Sequence, residues 1–305
     1  MPSISLIIPV LNAAHLLPGC VASIRQMDYP AQKLELLVID NGSTDSSIAV
    51  AQGLGATVLM EPQPGPYAAR NRGAAAAQAD VLAFTDADCV LDPGWAKAAE
   101  HAMAELDAAC GVSLGAPGGP VAALIQERYE ANLRGRARAH PPLPVFDTRN
   151  AVVRRSTFRS VGGFDARLDD LADDLFGVVV HRIRGRAGLW EAMRVTHLHP
   201  ESLKGVWARQ VRHGRNIPRV LALYPPDVTR HFPGIQRHGW LYGHTAACRM
   251  GRFAMSPGTA AAGAVLGVVL SLALRARWNT IACHLFELFN RFGTVHGMAT
   301  TPRVA

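Results

Sequence analysis

Val81-Leu82-Ala83-Phe84-Thr85-Asp86-Ala87-Asp88-Cys89 carries a short apolar run straight into two carboxylates separated by one residue. An unbroken apolar run of this length, with no charged position inside it, reads as a strand buried on both faces. Side chains alternate along a strand, so if the strand persists to Asp88, Asp86 and Asp88 point the same way at its carboxyl end. Open α/β sheets bind ligands in the crevice at that end. Two carboxylates held a few ångströms apart repel unless a cation lies near them. Oxygen ligands of this kind suit Mg²⁺ or Mn²⁺, ions that in turn hold phosphates. Asp-x-Asp alone also describes a pair of solvated turn aspartates, so the rest of the chain has to decide.

Outward from this stretch the pattern repeats. Ile4-Ser5-Leu6-Ile7-Ile8-Pro9-Val10 is a buried strand, and the helix after it has Pro18 for its first turn and Val21, Ile24 and Met27 on one face. Leu34 to Ile39 is a second apolar strand, ending in Asp40-Asn41-Gly42-Ser43-Thr44-Asp45, which is rich in turn and helix-capping residues. A short helix, a third strand over 56–60, a Pro/Gly loop over 61–66 and a helix opened by Pro66 and carrying Arg70, Asn71 and Arg72 lead into the 81–85 strand. Strand-helix alternation four times over argues for a mostly parallel sheet with right-handed crossovers and helices on both faces. Pro9-Val10, Asp40 and Asp86 then line one sheet edge, where a nucleotide would sit. No G-x-G-x-x-G follows the first strand, which disfavours a dinucleotide fold.

Composition narrows the partners. The 305 residues suffice for one large domain with an appendage, and only 18% of them are charged, with a formal net charge of +7. A basic balance favours phosphates or acidic lipid headgroups, and the lack of a dense basic block argues against nucleic acid. Cys20, Cys89, Cys110, Cys248 and Cys283 are odd in number and lack CxxC spacing, so they read as reduced thiols and not as a disulfide frame or zinc site. Met-Pro-Ser-Ile-Ser-Leu at the start has no basic region before its apolar run and does not read as a signal peptide.

Beyond Asp88 a helix is expected from about Pro93 to Asp107, then a Gly/Pro-rich stretch over 108–120, then a basic helix over 121–139 broken by Pro141, Pro142 and Pro144. A strand over 146–153 is followed by Gly162-Gly163-Phe164-Asp165 and by the acidic run Asp169-Asp170-Leu171-Ala172-Asp173-Asp174. Residues 201–215 look helical.

These residues resemble the family 2 glycosyltransferases of the GT-A fold. The resemblance is carried by Ile7-Ile8-Pro9-Val10-Leu11-Asn12, by Val38 to Asp45, by Gly65-Pro66-Tyr67-Ala68-Ala69-Arg70-Asn71-Arg72-Gly73-Ala74, by Asp86-Ala87-Asp88, and by Asn150, Arg154-Arg155 and Gly162-Gly163-Phe164-Asp165. Five motifs in order over about 3–215 make a specific signal. The resemblance implies a GT-A type α/β domain over 1–218 and a nucleotide-sugar donor, usually a UDP-sugar, bound at Pro9, Asp40, Arg70 and Asp86. Asp40 would meet the base edge, Arg70 the diphosphate, Asp86 the ribose or the metal, and Asp88 the divalent cation, Mn²⁺ or Mg²⁺. Simple helix capping accounts equally well for Asp40 and Ser43, and Arg72 reads as a solvated helix face.

An inverting transfer needs a carboxylate to take the acceptor hydroxyl's proton. The family carries it in a Glu-Asp-type motif after Gly-Gly-Phe-Asp. Here Asp173-Asp174 stands in that place, with Asp174 the first choice, Asp173 the second and Asp169 or Asp170 behind them; part of this run also reads as a solvated helix start facing the N-terminal dipole. Arg209-Gln210-Val211-Arg212-His213 lacks the tryptophan of processive members, which implies single-sugar transfer. His197 and His199 either touch diphosphate or metal or are structural. The departure at the acid motif leaves a second reading, a nucleotide-sugar-binding or scaffold protein that has lost catalysis. A nucleotidyltransferase would need a Gly-rich phosphate loop at 9–14, which is absent.

Between Arg252 and Arg275 lie 22 residues without charge. That apolar stretch, 255–274, is at the short end for a membrane span, and 278–292 carries Ile281, Leu285, Leu288 and Phe292 on one face, as an interfacial helix would. The expectation is a helical, membrane-associated region over 219–305, a lipid or glycan hydroxyl acceptor in a cell-envelope glycan, and a place on the cytoplasmic face of the membrane.

Overall fold

The computed structural model describes residues 3–138, 146–199, 202–229, 261–270 and, between 285 and 298, all positions except 287, 291, 292, 295 and 297. The chain divides into two compact units, one of Met1–Ala116 with Arg136–Leu198, the other of Pro117–Gly135 with His199–Ala305.

In the first unit β1 (Ile4–Val10), β2 (Leu34–Asp40), β3 (Thr57–Met60) and β4 (Val81–Thr85) alternate with α1 (Leu17–Arg25), α2 (Ser47–Gly53) and α3 (Pro66–Ala76). These four strands pair in parallel, in the order β3-β2-β1-β4. Ile4, Leu6, Ile7 and Ile8 are fully buried, as the central strand of a sheet covered on both faces requires. Val10 lies opposite Asp40, so β1 and β2 end level, and β4 flanks β1 on its other side. The carboxyl ends of all three therefore open on one edge.

The second half departs from the mostly parallel sheet. β5 (Cys89–Leu91), α4 (Trp95–Glu105), β6 (Ala108–Gly115), α5 (Pro120–Arg138), β7 (Asn150–Arg154), α6 (Arg155–Ser160), α7 (Ala172–Arg182) and β8 (Ala187–His197) follow. They extend the sheet as β4-β7-β6-β8-β5, with β7 antiparallel to both β4 and β6, β8 parallel to β6, and β5 antiparallel to β8. The sheet is thus mixed. β6 occupies part of the stretch read as Gly/Pro-rich, because burial at Ala108, Ala109 and Cys110 outweighs the weak strand preference of small residues.

Asn150 ties this half together. Its Oδ1 accepts the Trp95 indole N–H at 2.7 Å, and its amide donates to the Val112 and Met193 carbonyls, both at 3.0 Å. The β6–β8 register shifts between Cys110 and Val112. Gly111 lies at that shift, where a Cβ would collide with the Met193 carbonyl and the Asn150 amide. One buried amide thus joins α4, β6, β7 and β8, with both amide hydrogens donated and its oxygen accepting one bond.

The second unit contains most of α5, together with α8 (Leu203–Leu223), α9 (Pro226–Thr229) and a helix over 261–270. Val121, Leu124, Val206, Leu270, Phe286 and Phe289 form its core, with the Trp207 and Phe289 ring centroids 5.2 Å apart. Val265 and Val268 are exposed on the other side of the 261–270 helix. Among the described residues no helix is long and apolar enough to cross a membrane. Much of 255–274 and 278–292 lies outside the described residues, as do Cys248 and Cys283.

Replacing Asn150 by leucine leaves the Val112 and Met193 carbonyls and the Trp95 N–H buried without partners. The expected loss is about 2–4 kcal/mol of unfolding free energy, read by urea denaturation. A change under about 0.5 kcal/mol would mean these groups find other partners.

Candidate active site

The open edge of the first unit collects most of the acidic residues singled out from the sequence. Asp40 ends β2 and is buried. Its Oδ2 accepts the Gly42 and Ser43 N–H groups at 3.0 and 3.1 Å, while its Oδ1 is buried without a hydrogen-bond partner. Asn12, at φ 54°, accepts the Thr44 N–H at 2.8 Å and donates its own backbone N–H to Ser43 Oγ at 3.0 Å. The segment after β1 is thereby sewn to the segment after β2. Asn41 holds the neighbouring loop, donating to the Glu61 and Gln63 carbonyls and accepting the Gly65 N–H at 2.7 Å. Pro9, in β1, is half-buried, in register with Ile39 of β2.

The two aspartates of the opening motif do not share a strand. β4 ends at Thr85, and Asp86 to Cys89 form a turn in which the Cys89 N–H donates to the Asp86 carbonyl at 3.1 Å. The alternation argument for a common direction therefore fails, and the two side chains take different partners. Asp86 accepts Arg70 Nη2 at 2.5 Å. Asp88 lies 3.3 Å from His197 Nε2, brought there because Cys89 pairs with His197 across β5 and β8. Burial raises the Asp86 carboxyl above its ordinary value, with the charge of Asp88 adding and Arg70 opposing. Burial also works against the Asp88 charge, but the His197 hydrogen bond and the charges of His197 and Arg149 outweigh it and hold Asp88 below the ordinary range.

One atom each of Asp88, Cys89 and His197 lies within 4.8 Å of the others. Carboxylate oxygen and imidazole nitrogen suit a divalent ion such as Mn²⁺. The Cys89 side chain packs into the apolar core, and burial keeps its thiol protonated. Among the described residues, Asp88 and His197 are thus a pair that fits a cation, with Asp86 drawn toward Arg70. His199 is not part of this group; its Nε2 is 2.9 Å from Gln126 Oε1 in the second unit.

Arg70 is buried in α3, its guanidinium 5.3 Å above the Tyr67 ring, whereas Arg72 is exposed. Asp173 and Asp174 open α7 and part company. Asp173 Oδ1 accepts the Tyr67 hydroxyl at 2.8 Å and the Asp174 N–H at 3.0 Å, and its Oδ2 accepts the Thr148 hydroxyl at 3.1 Å. Asp174 Oδ1 pairs with Arg136 Nη1 at 2.7 Å. Asp170 accepts the Leu171 N–H and Asp169 is exposed, as expected of a helix approach. Leu171 sits at φ 76°, a strained conformation for a branched residue, immediately before the acid pair.

Sequence reasoning missed Asp147, Thr148 and Arg149. Thr85 pairs with Asn150 in the antiparallel β4–β7 ladder, so the segment before β7 meets the end of β4. Arg149 Nε donates to both Asp147 oxygens at 3.0 and 3.1 Å. Burial would raise Asp147, but the Arg149 charge and hydrogen bonds hold it well below the carboxylate range. The only signal in the sequence was their place just before Asn150.

Residues 5–162 match the family model described as glycosyl transferase family 2. Over 178 residues the chain is 31% identical to glycosyltransferase AglE of Haloferax volcanii, covering 55% of this chain and 58% of the relative. Over 244 residues it is 32% identical to the pre-mycofactocin glycosyltransferase of Mycobacterium tuberculosis, covering 74% of this chain and 49% of the relative. The chain thus spans about half the length of these two curated relatives. Among solved structures, a mannosyltransferase from Pyrobaculum calidifontis in complex with GDP-Man and Mn²⁺ superposes with TM-score 0.66 at 19% identity, over 97% of this chain and 86% of that one. TarS of S. aureus in complex with UDP-GlcNAc superposes with TM-score 0.57 at 15% identity, over 95% and 92%. At such identities these likenesses show the shared GT-A fold.

Burial, reinforced by Asp174, Asp147 and Asp170 and opposed by Arg70, raises Asp173 to about 6. The folded protein therefore keeps this proton up to about pH 6, while the unfolded chain releases it near the ordinary aspartate value of 3.8. Between those values stability falls as pH rises, and the cost is complete above pH 6. Asp173→Asn removes this titration. Its melting temperature should gain on the parent's as pH rises from 4.5 to 7, followed by calorimetry; a difference independent of pH would show that Asp173 is not shifted upward.

Proposed function

The chain belongs to glycosyl transferase family 2, and from that footing we propose an inverting, divalent-metal-dependent enzyme that moves one sugar from a nucleotide-diphosphate sugar of the UDP type. The observation that carries this reading is the convergence at one sheet edge of a buried carboxylate oxygen without a partner (Asp40), a buried arginine on a carboxylate (Arg70–Asp86) and a carboxylate–imidazole pair (Asp88–His197). A buried acceptor oxygen without a donor suits an N–H on the nucleobase edge. Arg70 would bind diphosphate oxygens, its planar fork being suited to them. A cation held by Asp88 and His197 would offset negative charge on the leaving nucleoside diphosphate.

In the transfer an acceptor oxygen bonds to the anomeric carbon as the bond from that carbon to the diphosphate oxygen breaks. The attack comes from the face opposite the leaving diphosphate, which inverts the configuration, and the acceptor's proton passes to a carboxylate on that side. We assign that carboxylate to Asp174. Both Asp173 oxygens already accept hydrogen bonds from Tyr67, Thr148 and the Asp174 N–H, the pattern of an anchor. The acceptor is proposed to be a hydroxyl of a lipid or glycan, presented at the cytoplasmic face of a membrane. The net charge of +7 and the exposed Val265 and Val268 on the 261–270 helix support that placement.

Release of nucleoside diphosphate from a panel of UDP- and GDP-sugars with Mn²⁺ tests the reading. Asp88→Ala should abolish Mn²⁺-dependent release without unfolding the protein. Asp174→Asn should lower turnover by about 10²-fold or more while the Kd for the donor stays within about three-fold. If Asp173→Asn shows that split and Asp174→Asn does not, the base assignment moves one residue. If unaltered protein binds donor but releases no nucleotide, it is a binding protein.

A further inference from the structure

Tyr67 touches both halves of the site. It lies three residues before Arg70 in α3, on the same helix face. Its ring lies beneath the Arg70 guanidinium, whose Nη2 holds Asp86. Its hydroxyl donates to Asp173 Oδ1, the oxygen that also accepts the Asp174 backbone N–H. The ring centroid is 5.5 Å from that of Phe164, itself packed against Phe84, Phe158 and Phe176 at 5.1 to 5.2 Å. Asn71 clasps the Phe164 backbone from α3, donating to its carbonyl at 2.8 Å and accepting its N–H at 3.0 Å. The tyrosine is buried, has two side-chain torsions, and cannot swing without breaking this cluster. Burial, with Asp173 and Asp170 adding, pushes its phenol well above the ordinary value, so the hydroxyl stays a donor.

We propose that Tyr67 is a positioning residue, whose hydroxyl fixes the start of α7, and with it Asp174, relative to Arg70. The inference rests on the reading of Arg70 as a diphosphate ligand and of Asp174 as the base. The ring serves the cation, by supporting Arg70 over Asp86. The hydroxyl serves the acid pair, by holding Asp173 and the helix turn that carries its neighbour. A transfer needs the leaving group and the base on opposite sides of one carbon, and small misplacements there cost rate more than binding. Thr148 and Arg136 also hold the acid pair, but Tyr67 is the side chain that reaches it from the helix carrying Arg70. The two functions are separable, because phenylalanine keeps the ring and loses only the hydroxyl.

The test measures nucleoside diphosphate release from the donor that the unaltered protein turns over best, with Mn²⁺, and the Kd of UDP with Mn²⁺. For Tyr67→Phe the expected result is kcat lower by about ten-fold, KM for the donor and Kd for UDP within about two-fold, and a melting temperature near the parent's. The acid limb of the pH profile should move to higher pH, since Asp173 loses a donor to its charged form while Asp147, Asp170, Asp174 and Arg70 remain around it. Tyr67→Leu should in addition weaken UDP binding, because Arg70 loses its support. Tyr67→Phe with the parent's kcat and pH profile would overturn the inference while leaving the transferase reading intact. So would a fall in kcat matched by an equal loss of UDP affinity or by a large drop in melting temperature. A parent protein that releases no nucleotide from any donor would remove the transferase reading and this inference together.

Discussion

A guanidinium inside a protein has to be met by a carboxylate, because leaving it uncompensated costs several kcal/mol. Arg70 is 5% exposed, and Asp86 meets it. Much of the first unit can be understood from what that pair requires. α3 must lie close enough to the sheet to bring Arg70 to the end of β4, and Gly73 allows it: a Cβ there would come within 2.5 Å of Ile7 and 3.1 Å of Ile39. The helix must also start at the right height. Gly65, at φ 122°, turns the chain where a side chain would be strained, Pro66 presets the first helical φ, and Asn41 pins the Gly65 N–H. The Pro/Gly loop is thus what delivers a buried cation to a carboxylate at the end of β4, three strands away from β3.

The same pair explains which parts of the site the sequence made legible. β1, β2 and β4 stood out because strands buried on both faces must be apolar throughout, and their shared edge followed from parallel pairing. Asp40 and Arg70 fell into place with them. What could not be seen was the outcome of pairings distant in sequence. β5 is three residues long, β6 is built of small residues, and their existence depends on β8. His197 meets Asp88 only because β5 and β8 run antiparallel, and Arg149 meets the end of β4 only because β7 does. The strand argument for Asp86 and Asp88 failed for a local reason. Satisfying Arg70 and His197 at once requires the two carboxylates to diverge, which a turn permits and a strand does not.

Asp173 and Asp174 differ for a related reason. Both sit in the first turn of α7, where the helix dipole favours negative charge on either. Asp174 is given a cation, Arg136, and Asp173 is given hydroxyl and amide donors. Neutral donors offset burial less than a full charge does, and the surrounding carboxylates make up the difference in the other direction. Adjacent aspartates, indistinguishable as letters, thus acquire different partners, contributed by α3, by α5 and by the segment before β7. Leu171 at a strained φ orients both at once, and the strain is tolerable because its own side chain is buried.

Taken together, the charges constrain how a diphosphate could enter. Asp86 is paired with Arg70, Asp88 with His197, Asp147 with Arg149 and Asp174 with Arg136. Among the described residues, Asp173 lies beside them with hydroxyl and amide donors and no cation at hydrogen-bonding distance. Each arginine is already committed to a carboxylate, and His197 contributes a positive charge only when protonated. A nucleoside diphosphate would add about two negative charges to this group, and Coulomb repulsion in a half-buried site is far stronger than in water. Drawing Arg70 toward phosphate would leave Asp86 uncompensated near Asp88, whose own partner is His197. A divalent cation held by Asp88 and His197 would offset the phosphate charge and would moderate the repulsion between Asp88 and Asp86. Among the described residues, the proposed metal dependence is supported less by the presence of an Asp-x-Asp pair than by the way Arg70, Arg136, Arg149 and His197 are each engaged by a carboxylate.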